Sequence, residues 1–160
     1  MHGWTLVLHG GAGPLRAQNY TREETHLSQL LDEGGALLSR GACAVDVVEQ
    51  MVAGLEACGY HIAGKGSAPN AKGEFELDAA IMDGHARRAG AVGALRGFVA
   101  PIRVARKVME ATPHALLVGQ GAEAFAAEQQ CERVGDPNLY YTPAVSRPVS
   151  PGEQIGRAHV

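Results

Sequence analysis

The sequence predicts a single domain of the α+β class, and three observations support this prediction. Apolar residues recur with helical spacing over residues 21–40 and 44–57, whereas apolar and polar side chains alternate in the segments between residues 60 and 95. The connections between the alternating segments are short, which is typical of an antiparallel meander. Hydrophobic residues make up 46% of the 160 residues and charged residues 19%, which excludes a disordered chain.

The N-terminal element is predicted to be a short buried strand, Trp4–Leu8, that runs into the glycine loop HGGAGP at 9–14. Successive glycine amides can cradle a phosphate group. The dinucleotide fingerprint G-x-G-x-x-G fails at Arg16, however, and there is no Walker A motif. We therefore interpret the loop as the turn at the end of a strand, with amides that let another backbone approach closely.

Two helices are predicted to follow the glycine loop. Thr21 and Glu24 have the spacing of a capping box, which predicts a helix from there to about Arg40, with Gly41 just beyond its end. The second helix is expected over Ala44–Ala57. Because the link between the two helices is short, we expect them to be neighbours in one layer.

The middle of the chain is predicted to form three strands, over Tyr60–Ala68, Glu74–Asp83 and Ala89–Leu95. A turn at 70–73 separates the first two strands, and a turn at Asp83-Gly84 separates the second from the third. Each strand would then be the neighbour of the next one along the chain.

The C-terminal third is predicted to begin with a helix over 101–111, which opens on a proline, a residue that suits the first turn of a helix. A short apolar strand at 115–118 and a helix at 121–130 follow. The remaining sequence has no periodic apolar face, which is typical of a flexible linker. We therefore expect the folded part to cover 1–131 and the linker to cover 132–160.

Three acidic side chains, Glu76, Asp78 and Asp83, resemble a catalytic cluster at first sight. Glu74, Glu76 and Asp78 nevertheless alternate with apolar residues, so they mark the polar face of the predicted strand. An aspartate before a glycine is also a common turn former. We interpret these acids as a polar strand face and a turn-capping aspartate rather than as acid and base catalysts.

Composition excludes several classes of function. A net charge of −3 gives no electrostatic reason to expect a nucleic acid or an anionic membrane as partner. Cys43, Cys58 and Cys131 form no C-x-x-C pair, and the histidines form no H-x-x-x-H or H-E-x-x-H pair, so their spacing indicates neither structural zinc nor disulfides. The apolar run near the N-terminus is too short for a signal peptide or a membrane span. A cytoplasmic protein with reduced thiols is the expectation.

No complete catalytic set can be assembled from these residues. The nucleophile motif G-x-S-x-G is absent, and Ser67 lies in the sequence GKGSA without the expected strand-to-helix elbow. The threonines lie in a predicted strand, near helix ends or in the tail, and none has an obvious base nearby. Composition and spacing alone therefore predict a soluble α+β domain with no complete catalytic set.

Seven sequence blocks, taken in order, closely resemble the plant-type asparaginases, also called isoaspartyl peptidases. The blocks are HGGAG at 9–13, AVDVVEQMVAGLE at 44–56, AGKGS at 63–67, ELDAAIMDG at 76–84, AGAV at 89–92, ARKVMEATPH at 105–114 and LLVGQGAEAFA at 116–126. One block alone is a weak signal. Their shared order and spacing make the resemblance specific over about residues 4–131.

The resemblance implies an N-terminal nucleophile hydrolase with a four-layer αββα sandwich. Members of that family cut themselves into an α and a β subunit, and the cut frees a threonine at the start of β that acts as nucleophile, with its own α-amine as base. This chain would be the α subunit, a β subunit from the same precursor would complete the sandwich, and two αβ pairs would form a heterotetramer. Cleavage would fall near Val160, where family members usually have a glycine.

The resemblance also assigns site residues. Gly10 and Gly11 correspond to the glycine loop beside the nucleophilic threonine. The following loop corresponds to a sodium-binding loop that uses main-chain carbonyl oxygens, which suit a hard cation. Its candidate residues are Leu55, Glu56, Cys58, His61, Ala63 and Lys65. No organic cofactor is implied, and the oxyanion-hole donors and the substrate-binding arginine belong to the β subunit in the family.

One position departs from the family pattern. Family members commonly read F-N-A-G where this chain reads His61-Ile62-Ala63-Gly64, so Ile62 replaces an asparagine that contacts the nucleophile. Isoleucine cannot donate or accept a hydrogen bond through its side chain. Water or another group would have to replace that contact, or else processing, turnover or substrate preference is altered.

The expected activity is hydrolysis of β-aspartyl dipeptides, with L-asparagine as a secondary substrate. Within this class, an enzyme for the β-Asp-Arg dipeptides of cyanophycin breakdown is one alternative. A glycosylasparaginase is less expected, because a secreted or lysosomal form should carry a signal peptide. The alternative from another class is a non-catalytic binding module that retains the scaffold.

Overall fold

The computed structural model describes residues 3–11 and 19–143 of the chain. The elements are α1 (Thr21–Ser39), α2 (Ala44–Ala57), a 3₁₀ turn (Gly64–Gly66), β1 (Leu77–Asp83), β2 (Arg88–Leu95), α3 (Pro101–Ala111), β3 (Leu116–Val118), α4 (Gly119–Glu128) and α5 (Pro137–Tyr140). This mixture of helices and strands confirms the predicted mixed class. No helix in these ranges combines the length and the apolar character that crossing a membrane requires.

The sheet has three strands in the order β1-β2-β3. β1 and β2 pair antiparallel on either side of the predicted turn, with Asp83 opposite Arg88. β3 pairs with β2 in parallel, and it coincides with the short apolar strand expected at 115–118. The predicted hairpin is confirmed, whereas the meander is wrong because its expected first strand at 60–68 does not form. Helix α3 makes the crossover that the parallel pairing of β2 and β3 requires.

The main core lies between the sheet and α3. Its fully buried side chains include Phe98, Ile102, Val104 and Val108. The backbones of β2 and α3 approach so closely that a Cβ on Gly90 would collide with backbone atoms of α3. The glycine of the AGAV block therefore permits the packing of the helix onto the sheet.

The two N-terminal helices are neighbours, as predicted, and they enclose a second cluster of apolar residues around Leu30, Val47 and Met51. Leu6 and Leu8 pack against this cluster. Within the ranges that the structure describes, residues 3–11 pair with no strand, and Trp4 and Val7 are 48% and 80% exposed. The expected buried strand at Trp4–Leu8 is therefore wrong, because in the described residues no strand pairs with this segment and none of its residues is fully buried.

Two local predictions are also wrong. Helix α1 includes Thr21 as its first residue, and Asn19 accepts the Thr21 N–H at 2.8 Å, so the Thr21–Glu24 capping box does not form. The segment 60–68, expected to be a strand, consists of bends, the 3₁₀ turn and irregular chain at 67–68. Gly64 has a φ of +51° in this segment, which reverses the chain direction and breaks the extended pattern.

Residues 132–143 pack against the domain, beyond the boundary that we expected at residue 131. Phe98 and Arg133 form an isolated antiparallel bridge. Val134 and Tyr141 are buried in a third cluster with Leu77. The packed part therefore extends further than the apolar periodicity indicated, because single side chains rather than a continuous face fix this segment. The rest of the expected linker, with the expected processing position Val160, lies outside the described residues.

Candidate functional site

The glycine loop, the start of α1 and the loop after α2 together line one cleft with a volume of about 720 Å³. Its lining residues are His9, Gly10, Gly11, Tyr20, Glu23, Glu24, Leu27, Leu55, His61, Ile62 and Ala63. Six candidates from the sequence are therefore brought together, namely Gly10, Gly11, Leu55, His61, Ile62 and Ala63. Sequence reasoning missed Tyr20, Glu23 and Leu27, since nothing in the helical pattern of α1 indicates which end faces the loop.

The glycine loop needs both of its described glycines. A Cβ on Gly10 would lie 3.1 Å from Cε1 of His61 and 3.3 Å from Cδ1 of Leu27, tighter than ordinary packing allows. Gly11 has a φ of +111°, which side-chain-bearing residues rarely adopt. The Gly11 N–H donates to Nδ1 of His9 at 3.3 Å. The absence of side chains thus brings backbone to the wall of the cleft, as the interpretation of the loop predicted.

The loop after α2 folds back onto the end of that helix. A Cβ on Gly64 would collide with the Glu56 carbonyl, and a Cβ on Gly66 would collide with the His61 carbonyl. The Gly66 N–H donates to the Ala63 carbonyl at 3.0 Å and closes the 3₁₀ turn. Both positions therefore require glycine, because two stretches of backbone lie too close together there for a Cβ.

Glu56, one of the candidate sodium-loop residues, has a buried side chain that is 4% exposed. Its Oε1 accepts the backbone N–H of Ile102 at 3.1 Å, in the first turn of α3. Burial raises the pKa of Glu56 to about 8, although this hydrogen bond and the charge of Arg103 act in the opposite direction. Glu56 thus joins the last turn of α2 to the first turn of α3.

A group of three metal-ligating side chains lies beside the cleft, and sequence reasoning missed it. One ligand atom from each of His26, Cys58 and His61 lies within 4.8 Å of the other two. His26 belongs to α1, 32 residues before Cys58 in the sequence, so no spacing motif joins them. Burial, and secondly the neighbouring His61, lower the pKa of His26, which favours its neutral form.

Ile62 lies at the cleft wall and is 57% exposed. Lys65, three residues further along the loop, accepts the Thr142 N–H through its carbonyl at 2.8 Å. Covering an exposed apolar side chain removes apolar surface from water, which is favourable. Ile62 is therefore placed to contact whatever occupies the cleft.

The acids of the β1 region lie elsewhere and have structural roles. Asp78 accepts the Ala94 N–H at 2.8 Å, where β2 bulges, and Ala94 has a φ of +49°. Asp83 accepts the N–H groups of His85 and Ala86 at 3.0 and 3.1 Å and so caps the hairpin turn. Glu76 accepts the side-chain N–H of Asn70 at 3.0 Å, so all three acids make local contacts that fit the structural interpretation.

A concave cleft walled by backbone at glycines, with a few polar side chains, is the usual form of a small-molecule site. The chain matches the asparaginase family over residues 2–149. It therefore belongs to the asparaginase family, and the resemblance seen in the sequence is confirmed.

Several relatives carry closely related names. The isoaspartyl peptidase of Salmonella typhimurium is 42% identical over 149 residues, which cover 90% of this chain and 47% of that protein. The putative isoaspartyl peptidase/L-asparaginase of Dictyostelium discoideum is 42% identical over 142 residues, with coverages of 86% and 41%. The isoaspartyl peptidase/L-asparaginase of Homo sapiens is 45% identical over 123 residues, with coverages of 76% and 40%. The chain spans less than half the length of these relatives.

Proposed function

We propose that this chain is the α subunit of an autoprocessed threonine hydrolase that cleaves β-aspartyl dipeptides, with L-asparaginase as a secondary activity. The observation that carries the proposal is the cleft between the glycine loop and the loop of Ile62, in a chain 42% identical to a protein named isoaspartyl peptidase. Gly10 and Gly11 of this cleft match the family's glycine loop residue by residue. The cleft is thus half of an active site.

In the proposed mechanism, the nucleophile is the threonine at the start of the β subunit. Its α-amine accepts the proton of its hydroxyl, and the hydroxyl oxygen attacks the side-chain carbonyl of the β-aspartyl group. The leaving amine takes a proton as the acyl-enzyme forms, and water then releases aspartate. The part of this chain is to position the threonine with backbone groups at Gly10 and Gly11, where a side chain would block the approach.

The loop Leu55–Lys65 is proposed to hold a sodium ion through main-chain carbonyls. Two observations support the fit: the loop folds back on itself, and its glycines leave the Glu56 and His61 carbonyls room that a Cβ would fill. Oxygen donors suit such a hard cation. The remaining candidate carbonyls belong to Leu55, Cys58, Ala63 and Lys65. Sodium would stiffen the loop beside the cleft and take no part in bond cleavage.

The β subunit is proposed to complete a four-layer αββα sandwich and to form a dimer of αβ pairs with this chain. β3 lies at the edge of the sheet, and its Leu116 and Val118 are 54% and 57% exposed. Trp4 and Val7 on the N-terminal segment are also exposed. An open strand edge with apolar side chains is a surface that pairs readily with another strand.

Intact-mass measurement of the purified full-length gene product tests this proposal. We expect two chains, with the second beginning at threonine, and release of aspartate from β-aspartyl dipeptides. Replacing that threonine by alanine should leave the precursor uncut and inactive. A single uncut chain that binds β-aspartyl compounds without hydrolysing them would instead favour the non-catalytic binding module.

Ile62 supports a narrower proposal about specificity. An apolar side chain in the place of an asparagine removes a hydrogen bond at the nucleophile and adds apolar surface to the cleft. We propose that this favours β-aspartyl dipeptides, whose second residue covers Ile62, over free asparagine. The kcat/KM for L-asparagine and for a panel of β-aspartyl dipeptides, including β-Asp-Arg, tests this in the wild type and in Ile62→Asn. Equal efficiencies for both substrate types in the wild type would contradict it, and a preference for another amide would favour an amidohydrolase of different specificity.

A further inference from the structure

We propose that His26, Cys58 and His61 form a binding site for a zinc ion. Their side chains come from two separate elements, α1 and the loop after α2, and bring two imidazole nitrogens and one sulfur within 4.8 Å of one another. Two histidines and one cysteine are the ligands that zinc prefers in proteins. The site uses side-chain atoms that take no part in the proposed hydrolase mechanism, although His61 also lines the cleft.

The hydrogen-bonding state of the two histidines supports the site. His61 is 7% exposed, and its Nε2 is buried without a hydrogen-bond partner in the described structure. The same holds for Nδ1 of His26. A buried polar nitrogen without a partner is unfavourable, because it loses its hydrogen bonds to water and gains none. A zinc ion held by these two nitrogens, each unprotonated, would give both of them a partner.

The geometry needs only a modest adjustment. Zinc–nitrogen bonds of about 2.0 Å and zinc–sulfur bonds of about 2.3 Å at tetrahedral angles place the ligand atoms about 3.3 to 3.6 Å apart. The ligand atoms, now within 4.8 Å of one another, therefore need to approach by at most about 1.2 to 1.5 Å when the side chains rotate toward a shared ion. Three protein ligands leave the fourth tetrahedral position to water.

The thiol of Cys58 must lose its proton to bind zinc. The thiol now donates a hydrogen bond to the Leu55 carbonyl at 3.2 Å, and its sulfur accepts the Tyr60 N–H at 3.4 Å. On zinc binding the S–H bond breaks, the proton leaves to solvent and the sulfur lone pair forms the Zn–S bond. The Tyr60 N–H remains in place to stabilise the thiolate charge.

The surroundings of the site indicate how an ion would reach it and what its binding would change. A surface depression of about 610 Å³ is lined in part by His26 and Tyr60, so one ligand of the site borders on solvent. The ring of His61 also contacts the position of Gly10, so zinc would fix this ring against the glycine loop. Zinc would thereby join α1 to the loop that carries Ile62. The sodium proposed above uses carbonyl oxygens of the same loop, whereas zinc uses side chains.

The test uses the full-length gene product, freed of metal with a chelator and kept in sodium buffer. Isothermal titration with zinc should give one site per copy of this chain, and cobalt(II) should give a thiolate-to-metal charge-transfer band. His26→Ala and Cys58→Ser should each weaken zinc binding by at least about 100-fold, the upper end of what loss of a mere supporting group costs. Cys131→Ser and the exposed His114→Ala serve as matched controls that keep the wild-type affinity.

Folding and binding are separated by a second measurement. The unfolding midpoints of wild type and Cys58→Ser should agree when chelator is present, and only the wild type should become more stable on addition of zinc. Unchanged zinc affinity in Cys58→Ser or His26→Ala would overturn the proposal. So would cobalt binding without the thiolate band, or no zinc binding by the folded wild type.

Discussion

Removal of the Glu56 side chain tests how the site is joined to the core. Glu56 lies in the last turn of α2 and is buried, and its carboxyl group accepts the Ile102 N–H in the first turn of α3. The first N–H groups of a helix have no partner within the helix and depend on such acceptors. Glu56→Ala would leave the Ile102 N–H buried and without its acceptor.

The expected loss of stability follows from two contributions. A buried donor left without a partner costs about 1 to 3 kcal/mol. Loss of the buried methylene adds about 1 kcal/mol, because the small space left behind does not refill. We therefore expect Glu56→Ala to lower the free energy of unfolding by about 2 to 4 kcal/mol. Glu56→Gln keeps the shape of the side chain and an oxygen that accepts a hydrogen bond. Because the raised pKa favours the uncharged carboxyl group at pH 7, this substitution should lower the free energy of unfolding by less than about 1 kcal/mol.

Urea unfolding of the full-length protein, followed by circular dichroism at pH 7, measures these differences. Glu128→Ala, an exposed glutamate at the end of α4, is the matched control and should change the free energy by less than about 0.5 kcal/mol. If Glu56→Ala behaves like Glu128→Ala, then Glu56 does not support α3 and the argument is refuted. If Glu56→Gln is as harmful as Glu56→Ala, the carboxyl group acts through its charge instead.

Three further substitutions have expected outcomes. Gly10→Ala should lower kcat/KM at least about tenfold and destabilise the protein by about 1 to 3 kcal/mol, because the new Cβ forces His61 to move. Steady-state kinetics measure the first effect and urea unfolding the second. Gly90→Ala should destabilise by more than about 2 kcal/mol in the same unfolding assay, because the new Cβ meets the backbone of α3, and a wild-type midpoint would contradict the packing. Arg106→Met removes ion pairs from α3 to α2, among them one to Glu49, and should lower the free energy of unfolding by about 1 kcal/mol. Because salt screens ion pairs, the loss should be smaller at high NaCl, and unfolding at two NaCl concentrations measures the difference.

The elements that depend on local pattern could be predicted from the sequence. The bounds of α2 agree with the prediction, and so do those of α3, where a proline in the first turn and an apolar stripe fix the helix locally. The antiparallel hairpin was also predictable, because Asp83 and Gly84 form its turn. The strand expected at 60–68 was not, because its glycines serve contacts with Glu56 and His61 that only the folded chain reveals.

Some residues of the candidate site could likewise be predicted from the sequence, and others could not. Gly10, Gly11 and Ile62 could be proposed from the sequence because the family blocks carry them in order. The cluster of His26, Cys58 and His61 could not, since one ligand lies on a helix far from the other two. Spacing motifs detect metal sites only when the ligands lie close together in the sequence. Three ligands that the fold alone brings together leave no such pattern.

Within the loop after α2, the backbone rather than the side chains carries the structure, and this explains how Ile62 is tolerated. Gly64 combines a φ of +51° with contacts to Glu56 that leave no room for a Cβ, whereas the Ile62 side chain is 57% exposed. Gly64→Ala should therefore cost more than about 2 kcal/mol in the free energy of unfolding. Ile62→Ala should cost less than about 0.5 kcal/mol and change only the kcat/KM ratio between substrates. Equal losses of stability from the two substitutions would mean that the Ile62 side chain also holds the loop in place.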